Sequence, residues 1–199
     1  MRPAVEIKGR AASDGVFTGP IFYLGGTSAL RRHSGSIASE CQALEAAIAE
    51  AIAEITALME KTEGDAAGIL AFQVAMLEDT ALRAPALAAI SGKIAADRAW
   101  KAALDAEIAG YEASTDDYFR ARSADFKDIR DRVLRLLSGI RQIIHASGAV
   151  LAGEDIAPTV FLETDWSHGG AIALTGGSVT SHVAMLARAR GVPMVVGLG

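Results

Sequence analysis

Gly176-Gly177-Ser178-Val179-Thr180-Ser181-His182-Val183-Ala184-Met185-Leu186-Ala187-Arg188-Ala189-Arg190-Gly191 is a small-residue turn that runs into a short amphipathic helix. Thr180 or Ser181 can cap that helix, because a hydroxyl there accepts a hydrogen bond from an otherwise unpaired N–H of the first turn. Val183, Leu186 and Ala187 share one face at helical spacing, and Arg188 and Arg190 complement the negative end of the helix. Gly191 supplies the terminator and Pro193 forbids continuation. The helix therefore begins at His182 or within a residue of it. Gly170-Ala171-Ile172-Ala173-Leu174 reads as the strand that feeds the turn, and Met194-Val195-Val196 as the buried strand that follows the helix. Strand, turn, helix and strand in this order predict an α/β unit.

The position of His182 has chemical content. The first turn of a helix exposes N–H groups and carries partial positive charge, so an anion is welcome there. A phosphate attached to the His182 ring would be cradled by the backbone from Ser178 to Ser181. The dipole contributes only about 0.3–1 kcal/mol at an exposed site. It tunes a nucleophile and does not create one, and local physics leaves a plain capping or surface histidine equally open.

Working outward, the 199 residues hold 51% apolar side chains, ample for a core, and no run approaches the roughly 20 apolar residues that span a bilayer. A net charge of −5 argues against a nucleic-acid surface. Cys41 is the single cysteine, which rules out an internal disulfide and a cysteine-based zinc site and fits a reducing cytoplasm. No pair of His, Asp or Glu shows metal-ligand spacing, so no metal is expected here. His33 before a helix, His145 at a helix end and His168 in a turn have ordinary structural roles. Asp155, between a strand and a proline, reads as a turn residue.

Residues 4–24 read as β structure, with Val5-Glu6-Ile7-Lys8 alternating and Pro20-Ile21-Phe22-Tyr23-Leu24 β-rich, around a glycine-rich loop from Gly9 to Pro20. From Ser34 to about Ala146 the period becomes helical. Ser39 with Gln42 makes a capping box for a helix carrying Leu44, Ile48, Ile52, Ile55 and Leu58, which Gly64 ends. A second helix runs from Asp65 to Asp79, apolar beyond one stripe, and Leu82–Ile90 forms a short extra helix near Pro85. A third carries Trp100, Leu104, Ile108 and Tyr111, and a fourth Phe126, Ile129, Val133, Leu136, Leu137 and Ile140. Four amphipathic helices with short connections predict a bundle.

The run Thr180-Ser181-His182-Val183-Ala184-Met185-Leu186-Ala187-Arg188, with Gly191-Val192-Pro193 and Val196-Gly197 after it, resembles the phosphohistidine signature of the PEP-utilising enzymes. These are Enzyme I of the sugar phosphotransferase system, pyruvate phosphate dikinase and PEP synthase. Two positions depart from the usual form: Ser178 stands where the family has its second glycine, and Val179 where it has a small or basic residue. The Gly9-Arg10-Ala11-Ala12-Ser13-Asp14-Gly15 stretch is similar to the opening of Enzyme I. The helical insertion points to Enzyme I among these relatives.

The resemblance implies an α/β swivelling phosphohistidine domain with an inserted four-helix bundle. Residues 1–30 and 147–199 would build the α/β domain, C-terminally incomplete, and residues 31–146 the bundle that docks the histidine phosphocarrier HPr. Past Gly199 it implies a linker helix, then a PEP-binding (β/α) barrel that holds Mg²⁺ and through which the whole protein forms a homodimer. His182 would be the nucleophile and Thr180 its neighbouring hydroxyl, with Gly177, Ser178 and Ser181 around the phosphate. The string Phe72-Gln73-Val74-Ala75-Met76-Leu77-Glu78-Asp79 with Leu82, and Arg122 in Arg120-Ala121-Arg122-Ser123-Ala124-Asp125, resemble the carrier-docking helices of Enzyme I. A bundle helix must bury one stripe, and the expectation is that Met76 is the exposed anchor while Phe72 is as suited to the core. The activity implied is phosphoryl transfer from PEP through phosphohistidine to HPr. Two alternatives stand beside it: a multiphosphoryl transfer or dihydroxyacetone kinase phosphoryl-donor protein of which this is the Enzyme I-like part, and a non-catalytic helical adaptor with a vestigial histidine.

Overall fold

The protein is described by a computed structural model, which covers residues 5–24, 35–139 and 148–199, the side chains of residues 117–121 excepted. The expectations for Leu30, His33, Ile140 and His145 fall outside the described residues. In chain order the elements are β1 (Arg10–Ser13), β2 (Ile21–Tyr23), α1 (Ile37–Met59), α2 (Asp65–Glu78), α3 (Thr80–Ser91), α4 (Ala96–Glu112) and α5 (Asp117–Ser138). There follow β3 (Val150–Gly153), α6 (Pro158–Glu163), β4 (Ala171–Leu174), α7 (His182–Arg190) and β5 (Met194–Val196). The chain divides into two compact units, Met1–Gly26 with Ile144–Gly199, and Thr27–Ile143.

The first unit is a mixed sheet of order β1-β5-β4-β3-β2. β2, β3, β4 and β5 run parallel to one another, and β1 closes the edge antiparallel to β5. Parallel neighbours need crossover connections, which α6 supplies between β3 and β4 and α7 between β4 and β5. In β3 and β4 alternate residues are buried, so Leu151, Ile172 and Leu174 line one apolar face. Met194 and Val196 extend it on β5, and Val183, Leu186 and Ala187 of α7 are buried. Pro158, pre-set for a first helical turn, opens α6.

Two strand expectations change. Val5-Glu6-Ile7-Lys8 forms no strand and leaves Val5 and Ile7 exposed, because alternation makes a strand only where a neighbour pairs with it and one face is covered. The strand lies instead at Arg10–Ser13, within the stretch that reads as a glycine-rich loop, where β5 pairs with it. Its register shifts between Ala11 and Ser13, so Ala12 is the extra residue of a bulge.

The second unit is helical throughout its described elements, four long helices and the short α3. Leu44, Ile48, Ile55, Leu70, Leu77, Ile90, Trp100, Leu104 and Ile129 are all but inaccessible and form its core. Each such side chain contributes about 1.5–3 kcal/mol by leaving water. The first cap is Ser36 rather than Ser39: the Ser36 hydroxyl accepts from the Ser39 N–H at 3.4 Å, and the helix gains a turn. α1 ends at Met59, and Gly64, at φ +66°, caps the start of α2 instead of ending α1. Asp79 caps α3 by accepting from the Ala81 N–H at 2.8 Å. α4 has no side-chain cap of its own, and the buried Glu40 of α1 accepts the Ala96 N–H at 2.8 Å in its place. Trp100 donates its indole N–H to the Arg130 carbonyl at 3.2 Å, which joins α4 to α5.

Candidate active site: the His182 turn

The turn between β4 and α7 starts where the sheet hydrogen bonding runs out. The Thr175 N–H donates to the Gly153 carbonyl and the Gly176 N–H to the Glu154 carbonyl, both at 2.9 Å, so the first turn residues are still tied to the end of β3. On the other side the Gly197 N–H donates to the Gly176 carbonyl at 3.3 Å. A Cβ at residue 176 would stand 2.8 Å from the Glu154 carbonyl oxygen, so this strap of backbone fits only glycine. Gly177 reverses the chain at φ +81°.

The turn then closes on itself. The Ser178 and Thr180 hydroxyls lie 2.9 Å apart, the Thr180 N–H donates to Ser178 Oγ at 3.2 Å, and the Ser181 N–H donates to the Ser178 carbonyl at 3.1 Å. Ser181 is the N-cap of α7, its hydroxyl accepting from the Ala184 N–H at 3.2 Å. His182, half-buried, is the first helical residue, and Gly191 ends the helix in the left-handed region at φ +64°. The histidine thus stands at the carboxyl end of a parallel strand and at the amino end of a helix, where open α/β sheets bind ligands. Gly177, Ser178, Thr180, Ser181 and His182 are brought together in one turn. Asp155 stands beside it as a turn residue, its carboxylate accepting from the Ile156 N–H at 2.9 Å. His168 lies elsewhere in an exposed turn, with Nδ1 3.0 Å from the Ser167 hydroxyl.

The residues expected to dock a partner separate into two groups. Met76 and Leu77 are buried, contrary to the expectation of an exposed Met76, because Ala66, Ile69, Leu70, Gln73, Met76 and Leu77 form the one stripe that α2 turns inward. Phe72 and Leu82 are half-buried. Phe72 takes the Arg122 guanidinium over its ring, 4.2 Å from the centroid, and Arg122 also lies 3.6 Å from the Asp125 carboxylate. Gly68, Ala71 and Ala75 form the exposed side of α2. Among the described residues no cluster of three or more His, Cys, Asp or Glu side chains could hold a metal ion, and no helix is long and apolar enough to cross a membrane.

Residues 8–122 match the family model described as PEP-utilising enzyme, N-terminal. The chain belongs to the PEP-utilising enzymes. Residues 145–199, which contain the histidine turn, match that family's mobile domain. The phosphoenolpyruvate-protein phosphotransferase of Geobacillus stearothermophilus is 31% identical over 96% of this chain, which spans 35% of that relative. Multiphosphoryl transfer protein 2 of Escherichia coli is 27% identical over 80% of the chain and 20% of its own length. A solution structure titled Enzyme I shares the fold, with TM-score 0.72 at 24% identity over 98% of this chain and 83% of that one. The chain thus spans about a third of the length of the phosphotransferases it matches. The α/β unit with a helical insertion is the fold of this family's N-terminal part.

Sequence reasoning missed one contributor to the turn: Arg188, read only as a favourable charge in the last helical turn, whose Nη1 donates to the Val179 carbonyl at 3.0 Å.

Proposed function

We propose that His182 carries a phosphoryl group, as phosphohistidine, between phosphoenolpyruvate and the phosphocarrier HPr. A ring nitrogen of His182 forms the N–P bond as the P–O bond of PEP breaks, and the enolpyruvate released takes up a proton to become pyruvate. In the second half the His182 N–P bond breaks as an N–P bond forms on the carrier histidine. Dividing the transfer through a covalent intermediate is nucleophilic catalysis, and the protein contributes alignment and charge stabilisation. The observation that carries this reading is the placement of His182 as the first residue of α7, in a turn braced by Ser178, Thr180 and Ser181. The amino end of that helix favours the added phosphate, with Gly177 and Ser178 alongside. Thr180 is the hydroxyl that orients the ring or the phosphate.

HPr docks on the bundle around Phe72, Leu82 and Arg122, where an aromatic and an arginine meet at a partly exposed surface. Binding of PEP, Mg²⁺ and the homodimer contacts are assigned to a barrel outside these 199 residues, and no chemistry proposed for this chain involves the metal. The place of work is the cytoplasm. The test is to mix the chain with ³²P-phosphorylated HPr. Acid-labile phosphate is expected on the wild type and not on His182→Ala, and none from PEP and Mg²⁺ alone. Failure of the wild type to accept phosphate from any phosphorylated carrier would leave the adaptor reading. The likeness to a multiphosphoryl transfer protein supports a second form of the same reading, in which this part, or that of a dihydroxyacetone kinase phosphoryl donor, is fused to further carrier domains.

A further inference from the structure

Arg188 lies in the last turn of α7 and is exposed as a residue, yet its side chain does not simply extend into water. Side chains of a helix lean towards its amino end, and this one reaches back past the helix start. Its Nη1 carries two hydrogens and meets two carbonyls, Ala12 at 2.7 Å and Val179 at 3.0 Å. Neither carbonyl is an arbitrary one. Ala12 is the buried bulge residue of β1, without a Cα partner in the β5 register. A bulge displaces a backbone group from the ladder, and such a buried group needs a partner. Val179 sits between Ser178 and Thr180, whose hydroxyls are joined, and three residues before His182.

We propose that Arg188 is a positioning residue for His182: one guanidinium nitrogen clamps the Ser178–Thr180 turn to the bulge of β1 and fixes the hydroxyl pair relative to the ring. The proposal rests on the reading that His182 accepts phosphate. Without the clamp, the turn keeps its ties to the ends of β3 and β5 at Gly176 and its local bonds at Ser178, while the Val179 carbonyl loses the side-chain donor that ties it to β1. The bulge then has a purpose: it presents a carbonyl to the same nitrogen that holds the turn.

The experiment compares the wild type, Arg188→Met, Arg188→Lys and His182→Ala in phosphate transfer from ³²P-phosphorylated HPr, with amide hydrogen exchange on the same proteins. Misplacing a reacting group by about an ångström costs up to roughly 100-fold in rate. Arg188→Met is therefore expected to lower the saturating transfer rate by about 10- to 100-fold while the half-saturating carrier concentration stays within about twofold. Arg188→Lys, which keeps a cationic donor, recovers part of the rate. In Arg188→Met the Ser181 amide, which bonds back to Ser178, exchanges faster, while the Met185 amide inside α7 keeps its protection. Wild-type rates in Arg188→Met with unchanged Ser181 exchange would overturn the clamp and leave the phosphohistidine reading standing. Loss of protection throughout α7 together with the rate would reduce Arg188 to a fold-stabilising residue, which also overturns it. Absence of acid-labile phosphate on the wild type overturns the phosphohistidine reading itself, and the catalytic role of the clamp with it.

Discussion

The Arg122 guanidinium lies 4.2 Å from the centre of the Phe72 ring, bringing α5 and α2 together at a half-exposed cation–π pair. Such a pair contributes about 0.5–1 kcal/mol at an exposed site and more when a partner covers it. It is the natural centre of the proposed docking face. Phe72→Ala is expected to weaken HPr binding by about 1–3 kcal/mol, with a smaller loss of fold stability. Arg122→Glu weakens binding too, but sets a second negative charge beside the buried Asp125 and also lowers the melting temperature. Titration of labelled carrier against both variants checks this, and dissociation constants equal to wild type would place the docking face elsewhere.

Met76→Ala behaves in the opposite way. Its side chain is 9% exposed and belongs to the inward stripe of α2. The substitution is expected to cost about 2–4 kcal/mol of stability in urea unfolding, while carrier affinity, measured where the variant remains folded, changes by less than about threefold.

The contrast between Phe72 and Met76 shows what can be read from a chain alone. Local signals served well where local chemistry decides. The Ser181 cap, the His182 start and the Gly191 stop of α7 all follow from hydroxyl, dipole and left-handed glycine within a dozen residues. They failed where a distant partner decides. β1 is a strand because β5 pairs with it, and its own Arg10-Ala11-Ala12-Ser13 has no β pattern to find. An apolar helix such as α2 has more than one plausible inner face, and only its neighbours select Met76 and Leu77 over Phe72. Ser36, one turn before Ser39, was hidden because Ile37 gives no amphipathic signal from its exposed position.

His182→Ala should leave the unfolding midpoint within about 2 °C of wild type, since a half-buried residue at a helix start, with Ser181 as the cap, adds little to the core. Acid-labile phosphate should vanish. Its persistence at wild-type levels would move the nucleophile, with His168 the next residue to test.

Acid should weaken the α4–α5 contact through Asp105. Burial pulls its carboxyl upward, but hydrogen bonds and charge from Lys101 and Arg130 outweigh that and hold it below the usual carboxylate range. A depressed folded-state value means the contribution is present above the unfolded value near 3.9 and is lost as pH falls through the folded one. Asp105→Asn should therefore cost stability at pH 7, within the roughly 0.2–1 kcal/mol of an exposed pair. The gap between variant and wild type should close as the pH falls below about 4. Urea unfolding at pH 7 and pH 3 measures it, and a gap independent of pH would remove the ion pair as its source.

The pairing of Arg10 with Val196 also sets a timetable for synthesis. At roughly 5–20 residues per second, β1 leaves the ribosome about 10–40 s before the strand it joins. The helical insertion, whose core is internal to residues 27–143, can fold in that interval while the sheet cannot. β1 must wait as an unpaired strand in a crowded cell, and its composition suits the wait: Arg10, two alanines and Ser13 offer little for a stray edge to seize. The plainness that hides this strand from a pattern search is what keeps the nascent chain from sticking.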